Sequence, residues 1–377
     1  MSPRSKQAMA AYRRGALEEA LSIQRRVVAA QNPQAEDFLL LAMLLHSSKQ
    51  TAEALAALRE GLRRYPDSAE LHENLGVCLI RVKDSPAAVQ AFERALALGS
   101  QGTNVLDGLC SALGHVGRHA EAVAYGRKSL EQKDAKFAAL PALAQIPATP
   151  PLAFDGGNRS QNIISYALWG AEPRYIVPLL ENLRIREHLF PGWTIRVYLD
   201  DSVPPDARSA LEQSGAQIVA SKLVAGVPPA RKLLWRFAVI AEPSIKRFLV
   251  RDADSLLSVK ERVAVDDWIR SGKYFHAMRD GHTHTDLILA GLWGGVGGIL
   301  PPPESLWEQF KPWRLENDHI DQDLLSVTVW PTIRQSCLIH DSVFTGCLGS
   351  VPFPPYGELP KGHHVGQNAF IHFKEGK

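Results

Sequence analysis

Residues 247–255 read Arg-Phe-Leu-Val-Arg-Asp-Ala-Asp-Ser, a short apolar run that breaks off into two carboxylates one residue apart. Alternate residues leaving a strand point to the same side, so Asp252 and Asp254 can face one cation. A hard divalent ion such as Mn²⁺ or Mg²⁺ takes such oxygens and can bridge them to a diphosphate. The pattern itself is short, and Asp321-Gln322-Asp323 repeats it. Its position gives it weight: it follows a run that reads as a buried strand. It also precedes a helix that Ser258 and Glu261 can cap reciprocally.

Outward from this stretch, strand and helix patterns alternate. The apolar run Asn162 to Leu168 ends at Trp169-Gly170, and a helical pattern follows from Tyr175 to Leu189. Thr194 to Leu199 alternates and stops on Asp200-Asp201. Then come a short helix over Asp206 to Gln213, a strand over Ala216 to Ala220, and a helix over Arg231 to Ala241. Beyond the carboxylates a strand is expected over Tyr274 to Met278. Such alternation predicts an α/β sheet of parallel strands. Ligands of these sheets lie beyond the carboxyl ends of the strands, so Tyr166-Ala167, Asp200-Asp201 and Asp252 to Asp254 are expected around one crevice.

The first third of the chain has a different logic. Ala20, Ala54, Ala88 and Ala122 recur every 34 residues, and Ala8, Ala42, Gly76 and Cys110 form a second small column in the same register. Leu21, Leu55, Val89 and Val123 form an apolar column beside them. Small residues at fixed points let paired helices approach closely, and the apolar columns fill the seam between neighbouring hairpins. The period and the run Gly15-Ala16-Leu17-Glu18-Glu19-Ala20-Leu21 match the tetratricopeptide pattern. The chain therefore reads as multi-domain: an all-α tetratricopeptide superhelix over 1–135, a linker over 136–160 rich in proline, and an α/β domain over 161–377. The array offers a concave surface suited to a peptide, a partner protein or a second copy of the chain.

Composition sets limits on function. An apolar share of 45% and a charged share of 22% are those of a globular protein. The 42 Lys and Arg nearly balance 40 Asp and Glu, which argues against binding nucleic acid by charge. Cys78, Cys110, Cys337 and Cys347 form no C-x-x-C pair and read as reduced, packed thiols. With no secretory leader and no uninterrupted apolar span, a cytoplasmic protein without a transmembrane segment is expected.

The second domain resembles the nucleotide-sugar glycosyltransferases of the GT-A fold, a Rossmann-like nucleotide-diphospho-sugar transferase architecture. It is nearest the retaining family that includes glycogenin and bacterial galactosyltransferases. The resemblance rests on the D-x-D, the Arg231 to Arg236 stretch before it, Asp321-Gln322-Asp323-Leu324-Leu325, and His363-His364-Val365-Gly366. It implies a metal, Mn²⁺ or Mg²⁺, held by Asp252, Asp254 and His363, with His364 the alternative to His363. It further implies a nucleoside-diphosphate sugar as donor, UDP-sugar first, with Asp321 and Gln322 against the transferred sugar and the anomeric configuration retained. The lysine that the family carries after its H-x-x-G is missing, since Gln367-Asn368-Ala369-Phe370 stands there. The diphosphate must then find its cation elsewhere.

Other residues have both a working and a packing reading. Arg231, Lys232 and Arg236 could meet the donor's phosphates or form a solvated basic face. Tyr166 and Trp169 could stack on a base or fill the core. Asp200 and Asp201 could take ribose hydroxyls or end a strand. Asp280 or Asp286 could orient or deprotonate an acceptor hydroxyl, as an inverting enzyme would need. His282-Thr283-His284-Thr285-Asp286 has the alternation of a zinc hydrolase ligand set. Gly291 to Pro303 reads as a close-packed turn or an acceptor-site loop. A repeat-based adaptor with an inactive transferase-like domain is the reading from a different class.

Overall fold

The computed structural model describes residues 2–222, 229–311 and 320–369. It divides into two compact units, Met1–Ser129 and Leu130–Lys377. The first unit is helical: α1 (Pro3–Arg13), α2 (Leu17–Val28), α3 (Ala35–Ser47), α4 (Thr51–Arg64), α5 (Ala69–Arg81), α6 (Ser85–Ala97), α7 (Thr103–His115) and α8 (His119–Phe137). The last residues of α8 belong to the second unit. Ala8, Ala20, Ala54, Ala88, Cys110 and Ala122 are fully buried, so the small columns are the lines along which helices meet. At Gly76 a Cβ would meet the Phe92 ring at 2.7 Å, which explains why that column drops to glycine there.

Each hairpin turns through one left-handed residue: Gly15 (φ 81°), Lys49 (φ 62°), Lys83 (φ 63°) and Gly117 (φ 81°), 34 residues apart. Two of the four are lysines, where a Cβ makes this conformation unfavourable by about 1 kcal/mol. The turn geometry is thus imposed by the helices on either side rather than by the turn residue.

The second unit is built on a seven-stranded sheet, β1 (Asn162–Leu168), β2 (Thr194–Leu199), β3 (Gln217–Ala220), β4 (Arg247–Val250), β5 (Phe275–Arg279), β6 (Trp293–Gly295) and β7 (Cys337–Asp341). The strands lie in the order β3-β2-β1-β4-β6-β5-β7. All pairings are parallel except those of β6, which is antiparallel to both β4 and β5. The helices α9 (Pro173–Leu189), α10 (Pro205–Gln213), α11 (Val259–Ser271) and α12 (Pro303–Phe310) connect them. A 3₁₀ segment, Pro229–Ala241, stands where an α-helix was expected.

Every residue of β1 is buried, as in a parallel strand covered on both faces. On one face Tyr166, Val197 and Leu199 pack with Leu179, Leu183 and Trp268 of α9 and α11. β6 breaks the expectation of an all-parallel sheet, because the glycine-rich stretch was read as a turn or loop. Its glycines are there for strand contact: a Cβ on Gly294 would meet the Phe248 carbonyl oxygen at 2.5 Å, and one on Gly295 would overlap the Phe275 ring.

The proline-rich stretch read as a linker is docked on the second unit. Its backbone makes no ladder, so side chains take its polar groups. Tyr274 donates to the Thr149 carbonyl (2.9 Å), Arg247 donates to that of Leu152 (2.6 Å), and the Leu143 N–H donates to Thr332 Oγ1 (2.7 Å). Phe154 stacks on Trp193 at 5.5 Å.

Candidate active site

β1 is the point at which the strand order reverses, with β2 on one side and β4 on the other. Leu168 and Leu199 pair at the carboxyl ends of β1 and β2, and the Arg251 N–H donates to the Ser165 carbonyl at the end of β4. Ligands of open α/β sheets bind at such a reversal. The residues that follow β4 alternate in burial: Arg251, Ala253 and Ser255 point inward, whereas Asp252 and Asp254 face the crevice with side chains 40% and 18% exposed.

Arg236 organises one half of the crevice. Four per cent exposed, it donates from one nitrogen to Asp252 and from the other to Asp321 Oδ2 (2.7 Å). Asp321, on α13 (Ile320–Leu324), also accepts the N–H of Gln322 at 3.0 Å, and burial holds its carboxyl above the usual range. The two Asp-containing motifs, about seventy residues apart in sequence, therefore share one guanidinium. The sequence reads Arg236 as a contact to the donor's phosphates or part of a solvated basic face; buried, with both outer nitrogens bound to carboxylates, it holds the site together instead. Ser165 fixes the same segment by donating to the Arg236 carbonyl at 2.6 Å.

Asp254 is paired differently. Arg174, in the first turn of α9, donates to its Oδ2 at 2.9 Å and is 45% exposed. Burial raises the Asp254 carboxyl above its ordinary range, with the Asp252 charge adding to it, against the pull of Arg174. The Asp254 carbonyl accepts the N–H of Ala369 at 2.8 Å, and Ser255 bridges Asn368. This bridge brings the H-x-x-G segment back to the D-x-D.

Asp280, expected beside an acceptor, supports that segment. Its Oδ1 accepts Lys260 (2.5 Å) and its Oδ2 accepts the N–H of Val365 (2.8 Å). Its own N–H donates to His284 Nδ1 at 2.9 Å. The His284 and His364 rings then meet edge to face at 4.7 Å. His363 lines a largely apolar pocket of ≈ 260 Å³ with Leu256, Leu257, Leu359 and Pro360. Among the described residues no three His, Cys, Asp or Glu side chains converge as a metal site. His363 therefore does not join Asp252 and Asp254 in a ready-made set, and both carboxylates carry arginines. The hydrolase pattern is likewise dispersed: His284 spends Nδ1 on the Asp280 N–H, and Asp286 pairs with Lys133 at 2.8 Å.

The remaining expected residues fall on both sides of their two readings. Tyr166 is fully buried in the core, so packing replaces base stacking. Trp169 is half-buried and meets Trp235 edge to face at 6.4 Å. Arg231 lies over Trp307 at 4.4 Å. Asp200 accepts Lys232 (2.6 Å) and Ser202. Neither Arg174 nor the support that Asp280 gives to the H-x-x-G was anticipated; both join residues about eighty positions apart, and no local pattern marks them.

Two carboxylates on one side of a strand end form an oxygen donor set suited to a hard divalent ion. Gly291 stands against this pair: a Cβ there would overlap Asp252 Oδ2, so the carboxylate occupies the space a side chain at 291 would take.

Residues 39–103 match the family model described as tetratricopeptide repeat, and the helical repeats of the first unit are such an array. No curated protein matches the chain. Among solved structures, a fragment of MamA from Desulfovibrio magneticus RS-1 is 17% identical, with 37% of this chain and 81% of that chain covered and a TM-score of 0.33. Another MamA crystal structure is 20% identical over 35% and 78%, with a TM-score of 0.33. A mutant O-GlcNAc transferase of Thermobaculum terrenum is 18% identical over 66% of this chain and 45% of that one, with a TM-score of 0.41. Overlaps this loose say nothing about what the chain does. No helix of the described residues is long and apolar enough to cross a membrane.

Proposed function

We propose that the second unit is a GT-A type glycosyltransferase domain that moves a sugar from a nucleoside-diphosphate sugar, UDP-sugar first, to a protein, peptide or glycan acceptor recruited by the repeats. The observation that carries this reading is the placement of Asp252 and Asp254 on one side of the β4 end, at the strand reversal. There Arg236 ties Asp252 to Asp321, and the Ser255–Asn368 bridge brings in the H-x-x-G segment.

In this reading Asp252 and Asp254 would hold Mn²⁺ or Mg²⁺, whose charge would balance that of a departing diphosphate, and His363 would have to turn from the pocket it lines to complete the set. Arg236 keeps Asp252 and Asp321 at a fixed separation, so a sugar held by Asp321 and Gln322 lies in a set position relative to the metal ligands. Asp280 and Lys260 hold the H-x-x-G segment. Trp169 and Arg231 border the donor.

Melting curves with UDP, GDP and CMP compounds, with and without Mn²⁺, test the reading on wild type and Asp254→Ala. A ligand at ~100 times its dissociation constant adds about 2.7 kcal/mol to the state that binds it. Stabilisation that needs both metal and Asp254 is the expected result; no response to any nucleotide in wild type removes the reading. One observation favours an adaptor with an inactive domain: the arginine pairs on both carboxylates, which in an adaptor would be permanent.

A further inference from the structure

The cationic groups around the two carboxylates are differently committed. Arg236 is buried and bound at both outer nitrogens. Arg251 is buried against Glu261 at 2.5 Å and donates to the carbonyls of Val250 and Trp293. Lys232 holds Asp200 and Lys260 holds Asp280. None of these can turn to a new anion without abandoning a carboxylate that supports the fold.

Arg174 is placed otherwise. It stands on α9, the first helix after β1, and its guanidinium lies over the Tyr175 ring at 4.6 Å. It reaches Asp254 through one nitrogen and is nearly half exposed. Its pair with Asp254 is therefore weakly held, worth on the scale of surface ion pairs rather than buried ones. It also occupies an oxygen that a divalent cation would need. A cation at Asp254 would compete with the guanidinium, which, once displaced, would have its N–H fork free for another anion. A diphosphate bound to that metal is what such a fork accepts in two parallel hydrogen bonds.

We infer that Arg174 is a two-position residue: it closes the site on Asp254 while no cation is present, and it moves to the donor's diphosphate when metal and nucleotide bind. The inference rests on the transferase reading above. It makes metal and nucleotide binding cooperative, because the nucleotide supplies Arg174 with the anion it loses to the metal.

The two halves of this exchange predict opposite effects of one substitution. In Arg174→Met, whose side chain still covers Tyr175, Mn²⁺ binding without nucleotide, read from the loss of the free-ion electron paramagnetic resonance signal, tightens by roughly threefold or more as the competing charge is removed. UDP binding at saturating Mn²⁺, read by calorimetry, weakens by about tenfold, the scale of one lost charge-assisted contact. Arg174→Lys falls between wild type and Met in both. Unchanged Mn²⁺ affinity in Arg174→Met, or tighter Mn²⁺ with UDP affinity unchanged, overturns the inference and leaves the transferase reading standing. If neither wild type nor variant takes up Mn²⁺, the reading of the site falls, and the inference with it.

Discussion

Gly291 lies so close to Asp252 that a Cβ there would overlap the carboxylate. The residue is glycine because the Asp252 carboxylate occupies the place of its missing side chain. Gly291→Ala must push Asp252 aside or shift the chain before β6, at an overpacking cost of about 1–3 kcal/mol. The expected outcome is a folded protein whose stabilisation by Mn²⁺ with nucleotide is lost. If Gly291→Ala binds as wild type does, Asp252 is not a ligand.

Arg236 gives the largest expected loss. Arg236→Met leaves Asp321, with a side chain 7% exposed, as a buried charge without its partner, and breaking such a pair costs about 3–5 kcal/mol. Lysine cannot span two carboxylates as a guanidinium does, so Arg236→Lys restores little. All eight tryptophans lie beyond residue 168, and urea unfolding followed by tryptophan fluorescence therefore reads the second unit. A loss below about 1 kcal/mol contradicts this account.

Acid should weaken the second unit through its buried histidines. Burial, with His364 adding to it, pushes the His284 ring down from 6.5 to about 3. Below pH 6.5 the unfolded chain takes up a proton that the folded one refuses, so stability is lost as pH falls from 6.5 towards 3. At pH 5 this one ring accounts for about 2 kcal/mol. Burial depresses His276 and His340 in the same direction. His284→Asn, whose Oδ1 can still accept the Asp280 N–H, should flatten the fluorescence-detected loss between pH 7 and pH 5. An unchanged slope assigns the acid sensitivity to other groups.

In the repeats, Lys49→Gly and Lys83→Gly should raise stability. Each relieves a left-handed residue with a Cβ, a gain of up to about 1 kcal/mol offset in part by the freer unfolded chain. Far-ultraviolet circular dichroism follows the helices. A decrease in midpoint for both variants contradicts the account, since the turn would then depend on lysine rather than tolerate it.

Much of the fold is legible in one dimension because it is periodic or continuous. The 34-residue columns mark buried lines of helix contact, and buried runs such as Asn162 to Leu168 announce strands by length and apolarity. β6 was not legible: Trp-Gly-Gly has low strand propensity, and only its neighbours Phe248 and Phe275 make glycine the fitting residue. Glu261 shows a similar limit. Ser258 accepts its N–H at 3.2 Å as a cap should, yet the carboxylate turns away to the buried Arg251 rather than back to Ser258. Burial of that arginine, which outweighs the local motif, is decided by the rest of the chain. The carboxylates at the end of β4 and Arg236 before them could be named from the sequence, but not Arg174, which pairs with Asp254. A partner eighty residues away leaves no mark in the local pattern.

The hydrogen bond from Ala369 to Asp254 also sets an order of events during synthesis. A chain leaving the ribosome presents the β4 carboxylates more than a hundred residues before the segment that clamps them. Through that interval Asp254 and Asp280 lack the Ala369 and Val365 N–H groups that they accept in the finished fold. The site is thus finished late, and a nascent chain stalled before residue 369 carries the acidic motif without the segment that the completed fold packs against it.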